Sequence, residues 1–345
     1  MEGAYYNGQY VNRLERLGYS QAEIDNKLES TFEEMFYGPE GVRLCHCAGP
    51  DMMYIEDTGN HDVRTEGMSY AMMFCVQMNR QKEFDCLWRW VVTHMYLTEG
   101  ENAGYFAWSC HTDGSKNSDG PAPDGEEFFA MSLFFAANRW GSGEGVLDYA
   151  SWARRILHAC VHKGEEAGSG FPMWNPENHL IKFIPNCEFT DPSYHLPHFY
   201  ELFALWSDEC DRPFWHAAAA ASRQYLRKAC HARTGLSAEY AEYDGRPHRG
   251  DQPDRHDWFF SDAYRTLGNI ALDAQWFGDK DGWAQETAAH IQQFFEEKEH
   301  GQTNGIYLID GTPVEGNALH PVGLLATIAQ GSLILDDACA DEWLR

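Results

Sequence analysis

The stretch GLLATIAQGSLIL, residues 323–335, is apolar or small at almost every position. A helix without a polar face needs packed neighbours on every side. The run falls short of the ~18 apolar residues that suggest a membrane helix, so protein must surround it. In contrast, QAEIDNKLESTFEEMF (21–36) and DGWAQETAAHIQQFFEEKEH (281–300) each show one apolar stripe and one charged face. The two kinds alternate along the chain. Helical periodicity places helices at about 20–37, 66–80, 81–97, 125–140, 146–163, 193–207, 212–231, 262–277, 281–299, 322–334 and 337–345. Those starting near 66, 125, 193, 262 and 322 are rich in Gly, Ala, Met and aromatic residues and read as inner helices; the others read as outer ones. Strand-like alternation is confined to short pieces such as NGIYLID, 304–310. No Pro/Ser-rich linker divides the chain, and no sequence repeat suggests an open solenoid. The expectation is an all-α, closed ring of helical hairpins forming one domain over residues 1–345.

Composition restricts what such a ring would bind. The chain has 26 Lys plus Arg against 53 Asp plus Glu, a formal charge of −27. That field repels phosphate backbones and anionic membrane surfaces, which argues against nucleic acid and membrane partners. A neutral ligand such as a sugar is little affected. The N-terminal MEGAYYNGQYVNRLERLGYS has no basic segment followed by an apolar one, so a cytoplasmic location is expected. Oligomeric state leaves no readable mark. The ten cysteines, among them Cys75, Cys86, Cys160 and Cys230, sit inside helical patterns and suit buried reduced thiols. LCHC, residues 44–47, invites a zinc reading through Cys45, His46 and Cys47. Three such close neighbours cannot easily wrap one tetrahedral ion without distant ligands, and no CxxC supplies them. Neither a metal nor another cofactor is expected.

If every second helix is inner, all inner helices point the same way and their N-termini gather at one mouth. Glu66 opens RTEGMSYAMM (64–73), Asp124 lies in PAPDGEEFFAM (121–131), Tyr194 in DPSYHLPHFYELF (191–203), Asp262 in FFSDAYRTLGN (259–269), and Leu319, His320 and Pro321 precede the last inner helix. Each acid alone is explained by capping or by the helix dipole. Capping does not explain why glycines and apolar residues follow the acids, nor why Tyr105, Trp108, Phe183, Trp258 and Phe259 crowd the connecting loops. Two or three acids among aromatic rings suit glycoside hydrolysis. One carboxylic acid protonates the leaving oxygen, a second carboxylate activates water or attacks, and ring faces stack on sugars. Met68, Tyr70 and Trp108 are candidates for an apolar wall that keeps Glu66 protonated, and Arg265 for a partner to an acid or a sugar hydroxyl.

RTEGMSYAMM, PAPDGEEFFAMSLFFAA (121–137) and FFSDAYRTLGNI (259–270) resemble the three signature segments of glycoside hydrolase family 8 over most of the chain. DPSYHLPHFYELFALW (191–206) and NALHPVGLLA (317–326) resemble the family's exo-acting subgroup, which releases xylose from reducing ends. The resemblance implies an (α/α)6 barrel and inverting hydrolysis of β-1,4-linked glycans, here xylo-oligosaccharides. It makes Glu66 the general acid, Asp262 the general base, Asp124 the holder of the sugar at the cleavage point, and Tyr194 a hydrogen-bond partner of the attacking water. Leu319, His320 and Pro321 would close the cleft one sugar beyond the cut. Eleven helices leave one hairpin unpaired, so a twelfth helix is expected beyond the DEWLR end, 341–345. The alternatives are an endo-acting family member on xylan, cellulose or chitosan, a zinc-dependent toroid using Cys45, His46 and Cys47, and a catalytically silent sugar-binding barrel.

Overall fold

The computed structural model describes residues 1–165, 169–250 and 255–345. Two short turns, α1 (Ala4–Asn7) and α2 (Arg13–Arg16), precede α3 (Gln21–Tyr37), which Ser20 and Glu23 start with a reciprocal capping box. The main elements then follow as α4 (Thr65–Gln77), α5 (Gln81–Trp90), α6 (Pro123–Trp140), α7 (Tyr149–His162), α8 (Pro197–Trp206), α9 (Arg212–Ala229), α10 (Arg265–Phe277), α11 (Trp283–Glu299), α12 (Pro321–Gln330) and α13 (Ala338–Leu344). Each of α4, α6, α8, α10 and α12 packs on the next member of that series, and the intervening helices flank them outside. The arrangement is that of an (α/α)6 barrel, with five inner and six outer helices among the described residues.

Burial follows the two sequence characters. α6 buries most of its residues, whereas α3 buries only Phe32 and Phe36. Trp88, Trp90, Trp174 and Trp215 anchor one apolar cluster under α4 to α9. A second cluster joins α9 to α13 through Tyr264, Leu267, Ile291, Phe295 and Leu324. Phe74 of α4 and Val322 and Leu325 of α12 are exposed.

Three expected helices begin or end differently, each for a local reason. The segment expected as 193–207 starts at Pro197, because the residue before a proline is pushed out of the α region; Leu196 has φ −117° and ψ 64°. Pro192–Tyr194 forms a separate 3₁₀ turn. Ser261–Tyr264 is likewise a 3₁₀ turn ahead of α10, entered through Ser261 at φ 44°, a left-handed conformation costly for a residue with a side chain. The segment 81–97 leaves α-helical geometry after Trp90, and Val91–Met95 form a π-turn. Thus Tyr194 and Asp262 are carried by tight turns beside inner helices, not by the helices themselves.

Candidate active site

Glu66 and Asp124 lie in the first turns of α4 and α6, where free N–H groups favour acids. These two N-termini approach closely because Gly125 has no side chain. A Cβ there would lie 2.5 Å from the Thr65 Cβ. Arg265, the first residue of α10, reaches both acids: its Nη1 is 2.8 Å from Glu66 Oε1, 2.9 Å from Asp124 Oδ2 and 3.0 Å from the Tyr70 hydroxyl. Its Nη2 lies 3.3 Å from Ser193 Oγ and 3.3 Å from Asp262 Oδ1. The guanidinium carbon stands 5.6 Å from the Tyr194 ring centroid, within cation–π range. Burial opposes the charge on Arg265, but Asp262, Tyr70, Asp124 and Glu66 hold its pKa well above the ordinary value. The rigid fork of one guanidinium thus meets Glu66 on one nitrogen and Asp262 on the other.

One cation therefore serves three carboxyl groups. Asp124 is 4% exposed, and burial, reinforced by the charge of Glu66, pushes its pKa up to about 8 despite the contact with Arg265. The sign is set by desolvation: a buried carboxylate sharing its counter-ion with two others holds its proton. Glu66 and Asp262 keep about a third of their side-chain surface open, so water and substrate reach them. Tyr194 is buried and its hydroxyl stays protonated, since burial first and the charge of Asp124 second raise its pKa. A cavity of about 310 Å³ lined by Tyr70, Phe128, Ser193, Arg265 and Asn269 runs between the inner helices beneath Asp124. A larger one, about 510 Å³, lies beside the Glu201–Arg223–Asp273 ion pairs and contains none of the mouth acids.

The remaining candidates divide. Phe183 is half-buried and stacks on Tyr194, with centroids 5.9 Å apart. Trp108 is 37% exposed, and its carbonyl accepts from Thr65 N–H, next to Glu66. Leu319, His320 and Pro321 are exposed at the start of α12, which packs on the Ser261–Tyr264 turn carrying Asp262. Tyr105, expected to bind sugar, is fully buried instead. Its hydroxyl faces the carbonyls of Ala159 and Phe171 at 3.0 and 2.8 Å, so it offers no ring face to a ligand. Met68 also belongs to the core, its sulfur accepting from Ile55 N–H. The zinc alternative fails on strand geometry. Cys45–Cys47 pair with Met53–Ile55, so alternation sends His46 to the face opposite the two cysteines.

Several polar residues of the site gave no sequence signal of their own. Asp191 is fully buried; its Oδ1 accepts from Ser193 N–H at 2.7 Å, fixing the turn that presents Ser193 and Tyr194. Burial, then the charge of Asp262, raises its pKa well above the carboxylate range. Asn269 holds the same turn through the Ser193 carbonyl at 2.7 Å. Glu126 accepts from Phe106 N–H at 3.0 Å, and burial pushes its pKa up to about 8. Glu127 meets the Tyr200 hydroxyl. In the sequence these two acids look like an ordinary charged first turn; Phe106 and Tyr200 meet them in the interior.

Comparison with known proteins places the chain in a family. The model of the family Glycosyl hydrolases family 8 matches residues 16–333. A reducing end xylose-releasing exo-oligoxylanase of Halalkalibacterium halodurans is 55% identical over 333 residues, covering 96% of this chain and 84% of that protein. One from Paenibacillus barcinonensis is 54% identical over 348 residues, covering 100% and 90%. The structure of a mutant of the latter, complexed with 3(3)-alpha-L-arabinofuranosyl-xylotetraose, superposes with a TM-score of 0.96 at 53% identity, covering 100% of this chain and 90% of that one. The chain belongs to glycosyl hydrolase family 8.

Proposed function

We propose that this glycoside hydrolase removes single xylose units from the reducing ends of β-1,4-linked xylo-oligosaccharides with inversion, Glu66 acting as general acid and Asp262 as general base. The observation that carries the reading is Arg265, which ties Glu66, Asp124 and Asp262 into one half-open pocket. Glu66 and Asp124 share one guanidinium nitrogen, and burial keeps a proton on Asp124 to about pH 8. Sugar hydroxyls donate to Asp124 at the cleavage point, and Glu66, about a third of whose side chain is open to the mouth, gives a proton to the departing oxygen. Asp262, on the other arm of the fork, takes a proton from a water that Tyr194 helps to place. Inversion follows if that water attacks the face opposite the leaving group. Phe183 and Trp108 supply ring surface for sugar faces.

Exo action rests on Leu319, His320 and Pro321, which project beside the turn bearing Asp262. A barrier there limits the leaving side to one sugar, which an endo-acting cleft could not tolerate. The reading includes a cytoplasmic location, suited to oligomers already taken up by a cell; activity found in the culture medium would contradict that part. Xylotriose carrying a label in its reducing-end sugar tests the specificity. The expected first products are labelled xylose and unlabelled xylobiose, with polymeric xylan left intact. A ladder of oligomers from polymer would establish an endo enzyme instead.

A further inference from the structure

A second set of donors lies outside the mouth. His158 and His162, in HACVH (158–162), stand four residues apart on one face of α7, an HxxxH spacing. Facing them is Asp211, the residue that precedes α9, with a side chain 3% exposed. One ligand atom from each of the three residues lies within 4.8 Å of the other two. His162 Nε2 is 2.7 Å from Asp211 Oδ1, and His158 Nδ1 is 3.8 Å from Asp211 Oδ2. The remaining nitrogen of His162, Nδ1, is 2.9 Å from Glu165 Oε2. That is the arrangement of a carboxylate–histidine–metal triad. An acceptor on Nδ1–H fixes the tautomer and turns the Nε2 lone pair toward the other donors.

We infer that His158, His162 and Asp211 form a binding site for a divalent transition metal, zinc by its chemistry, with Glu165 orienting His162. Two imidazoles and a carboxylate form a donor set of the kind that holds zinc with one position left for water. His158 keeps 44% of its side chain exposed, which gives the ion a way in. The ion ties the last turn of α7 to the start of α9 and takes no part in hydrolysis.

Zinc titration of the chelator-treated full chain, followed by calorimetry and by thermal melting, tests the assignment. The wild type is expected to take up one zinc with micromolar or better affinity and to melt at higher temperature when loaded. The His158→Ala/His162→Ala variant should lose about 100-fold in affinity and the melting shift, yet hydrolyse xylotriose as the wild type does. Glu165→Gln, which keeps all three ligands, should lose about tenfold, as removal of such a supporting partner typically does. No uptake by the wild type overturns the inference. So does uptake that survives unchanged in the double variant, which would place the metal elsewhere.

Discussion

Arg265 concentrates the account into one side chain. Its planar fork contacts Glu66 and Asp124 with one nitrogen and Asp262 with the other. A lysine offers a point charge and cannot reproduce that spacing. Arg265→Lys is therefore expected to lower kcat by about 100-fold or more, the scale of losing a preorganised electrostatic contact, with a smaller change in KM. Steady-state kinetics on xylotriose checks this. Asp124 makes a separate prediction about stability. Its pKa is about 8 in the folded chain against 3.8 for the free group, so the folded state holds the extra proton between those values. The resulting stabilisation is complete below about pH 3.8 and is lost as pH rises to about 8. Urea unfolding across that window should show stability falling with pH, and Asp124→Asn should flatten the fall by up to about 1.4 kcal/mol per pH unit. Asp191 separates shape from charge: protonated, it resembles asparagine. Asp191→Asn should keep most turnover, while Asp191→Ala, which frees the Ser193 turn, should lose it.

At the scale of elements, the position of the acids depends on how closely α4 and α6 approach. Gly125→Ala would drive a methyl into Thr65 and force the two helix starts apart. The expected cost is about 1–3 kcal/mol in unfolding free energy, with a disproportionate loss of kcat because Glu66 and Asp124 separate. Much of this scale was legible beforehand. Inner and outer helices announced themselves through GLLATIAQGSLIL and QAEIDNKLESTFEEMF, because burial on all sides and burial on one side leave different residue patterns. The acids at inner-helix starts followed from direction alone. Less was legible where contact is non-local. Tyr105 looked like one more loop aromatic until the Ala159 and Phe171 carbonyls enclosed its hydroxyl, and nothing in the sequence marked Glu126 and Glu127 for burial against Phe106 and Tyr200. The 3₁₀ turns holding Tyr194 and Asp262 were masked by helical periodicity running straight through them.

For the whole molecule, we propose that residues 1–345 fold as one domain. Two apolar clusters serve the described ring, but α8 packs on both α9 and α10 and spans the division. Calorimetry should show one transition whose calorimetric and van't Hoff enthalpies agree; two resolved transitions would divide the ring. The ring matters to function because it brings three acids, from the starts of α4 and α6 and from the 3₁₀ turn ahead of α10, onto one guanidinium. The claim that this geometry places a water between sugar and base is tested most directly by proton NMR of xylotriose during the first turnovers. The account predicts that the sugar newly freed at the cleaved bond appears first as the α anomer and reaches the β form only by mutarotation. Initial appearance of the β anomer would mean retention, and would contradict the roles given to Glu66 and Asp262.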